Sequence, residues 1–220
     1  QYRGIIGDLV VETDGEAIDR LDCLEAVLGD LILTDTDVDD YTSFELTGLE
    51  TVTGSLAVFS YGNVGFPKLQ EIGGYAALVG WSEFGSITFS FDALESVGLA
   101  EVNSGGGLRL QGSDGTTTAD WNGFTNAANF PVLRDVVGAV AIEFKGLQDL
   151  NGFASLDTII GDLRIVGARQ LADVTGLHAI SLASGSVTIT GNVTLPTSAA
   201  ETLVSEIDVI GGTVTIEGNG

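Results

Sequence analysis

Apolar positions in this chain recur as a two-residue alternation led by glycine. Gly7-Asp8-Leu9-Val10-Val11 is echoed by Gly29-Asp30-Leu31-Ile32-Leu33, Gly54-Ser55-Leu56-Ala57-Val58, Gly138-Ala139-Val140-Ala141-Ile142, Gly161-Asp162-Leu163-Arg164-Ile165, Gly185-Ser186-Val187-Thr188-Ile189 and Gly212-Thr213-Val214-Thr215-Ile216. Each unit reads glycine, any residue, apolar, any, apolar, which is a short strand with one face turned inward. The steps between units are 22, 25, 84, 23, 24 and 27 residues. The long step holds further candidates at Gly74, Gly85 and Gly107, whose spacing leaves the register open across residues 74–110.

Between these strands the apolar spacing changes to three, as in Leu147, Leu150, Phe153, Leu156 and Ile159, and again in Leu171, Val174 and Leu177. A period of three fits neither a 3.6-residue helix nor a long strand. It suits the corners and short second and third faces of a coil, with one inward side chain per segment. A fixed period of this kind predicts a stack of repeats sharing a core that no single repeat could form. The predicted fold is therefore all-β, a right-handed parallel β-solenoid of about nine coils of roughly 22–25 residues, in one domain over residues 1–220. Terminal coils leave open strand edges, so caps are expected. Residues 198–207, after Pro196, carry Ala199, Ala200, Leu203, Val204 and Ile207 at helical spacing and predict a short helix. Residues 16–28 read equally as helix or as coil corners.

Composition narrows the function classes. Asp and Glu number 31 against 8 Lys and Arg, a formal charge of −23, which opposes nucleic acid and anionic membrane surfaces as partners and favours a monomer. The chain is 44% apolar, enough for a packed core. It lacks a run of 18 apolar residues and a basic region leading into an apolar stretch, so neither a transmembrane segment nor a signal peptide is expected. The absence of Met predicts a processed or trimmed chain. Cys23 is the single cysteine and sits among Leu21, Leu24 and Val27, which predicts a buried structural thiol.

These strand units, with lead-ins such as Leu156-Asp157-Thr158-Ile159 and the phrase from Leu171 to Leu177 with Gly176, resemble the receptor L-domain family, the leucine-rich-repeat-like β-helices of receptor ectodomains and of microbial surface proteins. The closing phrase, from Leu195-Pro196 to Gly218-Asn219, is similar to the ends of bacterial surface members. The receptor versions are rich in disulfides and this chain can form none internally, so the resemblance implies a microbial, extracellular or cell-surface protein that binds a partner and is not an enzyme.

Chemical constellations are sparse. His178 is the one histidine, so a His-based triad or a two-His metal site cannot be assembled within the chain. Asp35, Asp37, Asp39 and Asp40 form an oxygen-rich segment after the second strand that a hard cation such as calcium could use, although it lacks the glycine and distal Glu of the helix-loop-helix calcium motif and reads first as a solvated acidic turn. Gly105, Gly106 and Gly107 lack the Lys-Ser or Lys-Thr of a phosphate loop and read as the start of a coil.

The outward column carries more information. It runs Val10 and Glu12, Ile32 and Thr34, Ala57, Phe59 and Tyr61, then Ala77, Val79 and Trp81 if Gly74 keeps register. It continues through Arg109 and Gln111, Ala141 and Glu143, Arg164 and Val166, Thr188 and Thr190, to Thr215 and Glu217. The first half is apolar and aromatic where solvent favours polar groups, so Phe59, Tyr61 and Trp81 are candidate ligand-binding residues. Trp121, in the irregular insertion over residues 112–130, is a fourth. The expected function is a secreted or cell-surface binding or adhesion module for a protein or glycan, with no cofactor. Alternatives are a structural spacer of a larger envelope protein, an ice-binding surface built on Thr188 and Thr190 or Thr213 and Thr215, and a polysaccharide-active β-helix.

Overall fold

The computed structural model describes residues 3–13, 21–36, 43–81, 86–98, 107–112 and 127–220. All strand pairs in it are parallel, and each glycine-led unit is one rung of a β-solenoid. Two nine-stranded sheets run the length of the stack and a four-stranded sheet forms a third face over part of it. A typical coil runs from a two- or three-residue strand, through a glycine turn, into a longer strand, round a corner into the third sheet, and back through a tight turn. The third coil shows the sequence of elements: Thr51–Val52, Leu56–Ser60 and Val64–Gly65.

Register on the long-stranded sheet places all nine of its rungs. Leu9, Leu31, Leu56, Ala76, Leu108, Val140, Leu163, Val187 and Val214 stand in one column. The steps are 22, 25, 20, 32, 32, 23, 24 and 27 residues, so Gly74 leads a rung and the two long coils between Ala76 and Val140 account for the irregular stretch. Ala127–Asn129, near the end of the segment expected as an irregular insertion, is a strand that pairs with Thr88–Ser90 in the third sheet.

The period-three segments are tight i to i+3 turns. Leu49 N–H donates to Leu46 O, Leu69 to Phe66, Leu94 to Phe91, Leu133 to Phe130 and Leu156 to Phe153. Each turn places one large side chain in the core, and in four successive coils that residue is phenylalanine. Phe66, Phe91, Phe130 and Phe153 stack with ring centroids 5.1, 5.0 and 4.9 Å apart, all fully buried. Identical turns repeated one strand spacing apart bring like rings into offset contact, worth about 0.5–1.5 kcal/mol per pair beyond the area they bury.

A second inward column runs Thr13, Asp35, Ser60, Gly80, Gly112 and then Phe144. It shrinks to glycine because the Phe144 ring reaches back over it. A Cβ on Gly112 would stand 2.7 Å from that ring, and one on Gly80 3.2 Å from it. Phe89 packs on Phe144 with centroids 5.6 Å apart.

Side chains after the leading glycine tie the rungs together. Asp8 Oδ1 accepts the Asp30 N–H (2.9 Å), Asp30 Oδ1 that of Ser55 (2.7 Å), Ser55 Oγ that of Tyr75 (3.2 Å), and Asp162 Oδ1 that of Ser186 (2.7 Å). The polar residue of each Gly-Asp or Gly-Ser pair thus satisfies a turn N–H of the following coil that would otherwise lack a partner. Near the end, Asn192 is wholly buried, accepts the Ala168 N–H at 2.9 Å and donates to Ile165 O at 3.0 Å and Asn219 Oδ1 at 3.1 Å.

The expected helix is present as α1, Thr197–Glu206, and buries Ala200 and Leu203. It covers only part of the end, since Val209 and Val214 of the last coil remain exposed. Ala26–Leu28 is a strand of the first sheet, so the C-terminal part of the ambiguous segment 16–28 is coil. Cys23 departs from expectation. The inward series is Leu21, Leu24 and Val27, and Cys23 is out of phase with it, on an exposed turn. Among the described residues no helix is long and apolar enough to cross a membrane.

Candidate functional site

Alternation along the long-stranded sheet turns every second side chain outward, and pairing aligns these into two columns. One holds Val10, Ile32, Ala57, Ala77, Arg109, Ala141, Arg164, Thr188 and Thr215. The other holds Glu12, Thr34, Phe59, Val79, Gln111 and Glu143, and at the far end Thr190 and Glu217. These are the positions that the two-residue alternation assigns to the outer face.

Three of the four candidate ligand-binding residues meet on this face. Trp81 continues its strand for one residue, its N–H donating to Ser60 O at 3.0 Å, which brings the indole alongside the preceding coil. Its ring lies 4.9 Å from that of Tyr61 at 43° and 6.2 Å from that of Phe59 at 33°. All three side chains are half-buried. Small neighbours at Ala57 and Ala77 keep the adjoining column low, so the rings stand at the edge of a flat apolar strip. Trp121 lies outside the described residues.

Beyond the strip the same face becomes charged. Arg109 donates from a terminal guanidinium nitrogen to Glu143 Oε2 at 3.0 Å, two rungs sharing a partly exposed ion pair. Tyr75 sits beside them. Burial pushes its phenol up from the usual range, and the neighbouring Arg109 partly offsets that. Arg109 is held above its ordinary value chiefly by the hydrogen bond to Glu143.

Asp35, the first of the four candidate metal ligands, ends its strand facing inward, 2% exposed, and its Oδ2 takes a long 3.5 Å bond from the Tyr61 N–H. It thereby supports the backbone that carries one ring of the aromatic cluster. Asp37, Asp39 and Asp40 lie outside the described residues. Among the described residues no three His, Cys, Asp or Glu side chains converge as a metal would need. His178 is part-exposed and its Nδ1 lies 2.7 Å from Glu206 Oε2 on α1.

Round the corner from the aromatic cluster, the outer face of the third sheet holds an open groove of about 420 Å³, lined by Glu45, Asn63, Gly65, Thr88, Ser90 and Asp92 among others. The alternation in the long strands did not point to it. The available signal was the short phrase Asn63-Val64-Gly65, an apolar residue flanked by an amide and a glycine. Comparison with known proteins finds no matching family model, curated protein or solved structure.

Proposed function

We propose that this chain is a non-catalytic, secreted or cell-surface recognition module, and that its ligand is a glycan bound through the outer face of the long-stranded sheet. The observation that carries this reading is the cluster of Phe59, Tyr61 and Trp81, three rings contributed by two consecutive rungs to an outward face. Rings held by a rigid sheet offer flat contact area at little cost in conformational entropy, since the backbone beneath them is already ordered. Amphipathic rings suit the C–H faces of a sugar, which stack on them without needing a charged partner.

Charge supports the choice between ligand classes. A formal charge of −23 repels nucleic acid, acidic polysaccharide and anionic lipid, and among glycans favours the neutral ones. The kinship proposed with the receptor L-domain family rests on the Gly-x-Leu-x-Ile rungs and brings with it a microbial surface location.

An array of neutral and charged glycans, probed with the intact domain and with a Phe59→Ala/Tyr61→Ala/Trp81→Ala variant, tests the reading. Binding to neutral glycans that the variant loses, with an unchanged circular dichroism spectrum, supports it. Uniform absence of binding by the intact domain contradicts it and leaves the alternative of a structural spacer.

A further inference from the structure

Glycines in this solenoid mostly have a structural reason to be glycine. A Cβ on Gly29, Gly54, Gly161 or Gly185 would stand 2.1–2.5 Å from the nearest atom of the preceding coil, and Gly98 and Gly107 combine equally close contacts to the following coil with φ of +90° and +142°. Gly65 has neither reason. It lies within a strand of the third sheet, has no left-handed φ, and a Cβ there would meet just one neighbour, Glu45 Cγ, at an ordinary 3.5 Å. Gly65 ends its two-residue strand, and ordering a glycine there costs more backbone entropy than ordering any other residue and offers no side chain to pack, so the fold alone would accept a side chain.

The missing side chain opens the groove. Glu45, Gly65, Ser90 and Asn129 occupy one outward column of the third sheet. The gap at Gly65 separates Glu45 from Ser90 by two strand spacings, about 9–10 Å, with a floor of backbone. The polar groups along it have bonding capacity to spare. Asp92 Oδ1 accepts from both Ser90 Oγ (2.9 Å) and Asn129 Nδ2 (3.2 Å), which fixes the carboxylate and leaves Oδ2 without a donor among the described residues. Asn63 Oδ1 accepts the Thr88 N–H at 2.9 Å, which orients the amide and leaves its NH2 as a donor. The exposed Glu45 forms the opposite wall.

Two residues join this groove to the aromatic cluster. Tyr61 and Asn63 are separated by Gly62 alone, so their Cα atoms lie within about 7 Å. A ligand that stacks on Tyr61 and extends round the corner enters the groove. Among the described residues the lining has two carboxylates, amide, hydroxyl and backbone groups, and no Lys or Arg.

We propose that the groove at Gly65 is a second subsite of the same binding surface and takes an uncharged hexose unit of the glycan. Asp92 and Glu45 accept hydrogen bonds from its hydroxyls, Asn63 donates to a ring or hydroxyl oxygen, and the gap at Gly65 admits the ring. Carboxylate acceptors give the stronger, charge-assisted bonds to hydroxyls, and an oriented carboxylate and amide lose little entropy on binding. This inference rests on the glycan reading above.

The test is calorimetric titration of the intact domain with neutral oligosaccharides of one to six hexose units, α- and β-linked, alongside Gly65→Val and Asp92→Asn. Valine suits a strand and fills the gap, so Gly65→Val should retain or raise the thermal midpoint. In the wild type, affinity should rise about tenfold or more when the ligand grows long enough to reach from the rings into the groove. Gly65→Val should bind the shortest ligands as the wild type does and lose that gain, and Asp92→Asn should reduce it. A length gain that survives Gly65→Val overturns the subsite and leaves the aromatic surface as the binding site. No binding of any oligosaccharide by the wild type overturns both readings.

Discussion

At the scale of the residue, a few polar groups carry more of the fold than their number suggests. The Asn192 side chain, fully buried, joins three successive coils through Ala168, Ile165 and Asn219. Asn192→Ala leaves a buried N–H and carbonyl unpaired, at roughly 1–3 kcal/mol for each, and chemical denaturation should report a loss in that range. Glycines divide by the same logic. Gly54→Ala brings a methyl to 2.6 Å from the Gly29 carbonyl carbon and should cost about 1–3 kcal/mol, whereas Gly65→Ala should be neutral or stabilise by up to about 1 kcal/mol, compared by thermal unfolding. Asp173 accepts the Thr175 N–H at 2.8 Å, and this bond, with Thr175 side-chain bonding and nearby His178, holds its carboxyl below the usual value of 3.8. A carboxyl more acidic in the folded than in the unfolded chain adds stability that is in place above the unfolded pKa and is lost as pH falls through the folded one. Asp173→Asn should therefore lower stability at neutral pH and flatten its decline below pH 3.8, as followed by denaturation at a series of pH values.

Elements in this protein are too short to be stable alone, and stacking supplies what each lacks. A strand such as Val64–Gly65 has two residues and persists because its neighbours, Phe44–Glu45 and Thr88–Ser90, pair with it on both sides. Beneath that sheet the phenylalanine stack fixes the turns that return each coil. Phe91→Ala removes a ring with neighbours at 5.1 and 5.0 Å and should cost about 3–5 kcal/mol, with faster amide exchange in Thr88–Ser90 than in the long strands. The sequence reading met these elements unevenly, for physical reasons. Two-residue alternation after glycine is a direct imprint of facing, so the outer columns and the Phe59, Tyr61 and Trp81 cluster were legible. The rung at Tyr75–Gly80 was legible only on the condition that Gly74 keeps register, because its coil is 20 residues long and is followed by two of 32, which breaks the period without disturbing the stack. The pairing role of Asp8, Asp30 and Asp162 lies in hydrogen bonds between coils, which leave no periodic hydrophobic trace. The groove at Gly65 is defined by an absent side chain between two coils and becomes visible only in register.

For the whole molecule, the account joins a continuous interior to a graded exterior. The core runs from the second coil to the eighth with no break, while the outer face passes from aromatic to charged to threonine-bearing rungs. Rigidity and surface chemistry are thus set by alternate residues of the same strands, which lets the surface change without cost to the core. The aromatic rungs are where that exterior departs furthest from what water favours, and ligand contact there is the claim on which the functional account stands. Trp81 reports it directly, because the chain has two tryptophans and Trp121→Phe leaves Trp81 as the one indole. Titrating that variant with the neutral glycan that binds best should give a saturable shift in tryptophan emission whose midpoint matches the calorimetric affinity. Heat of binding with unchanged emission would place the ligand elsewhere and contradict the account.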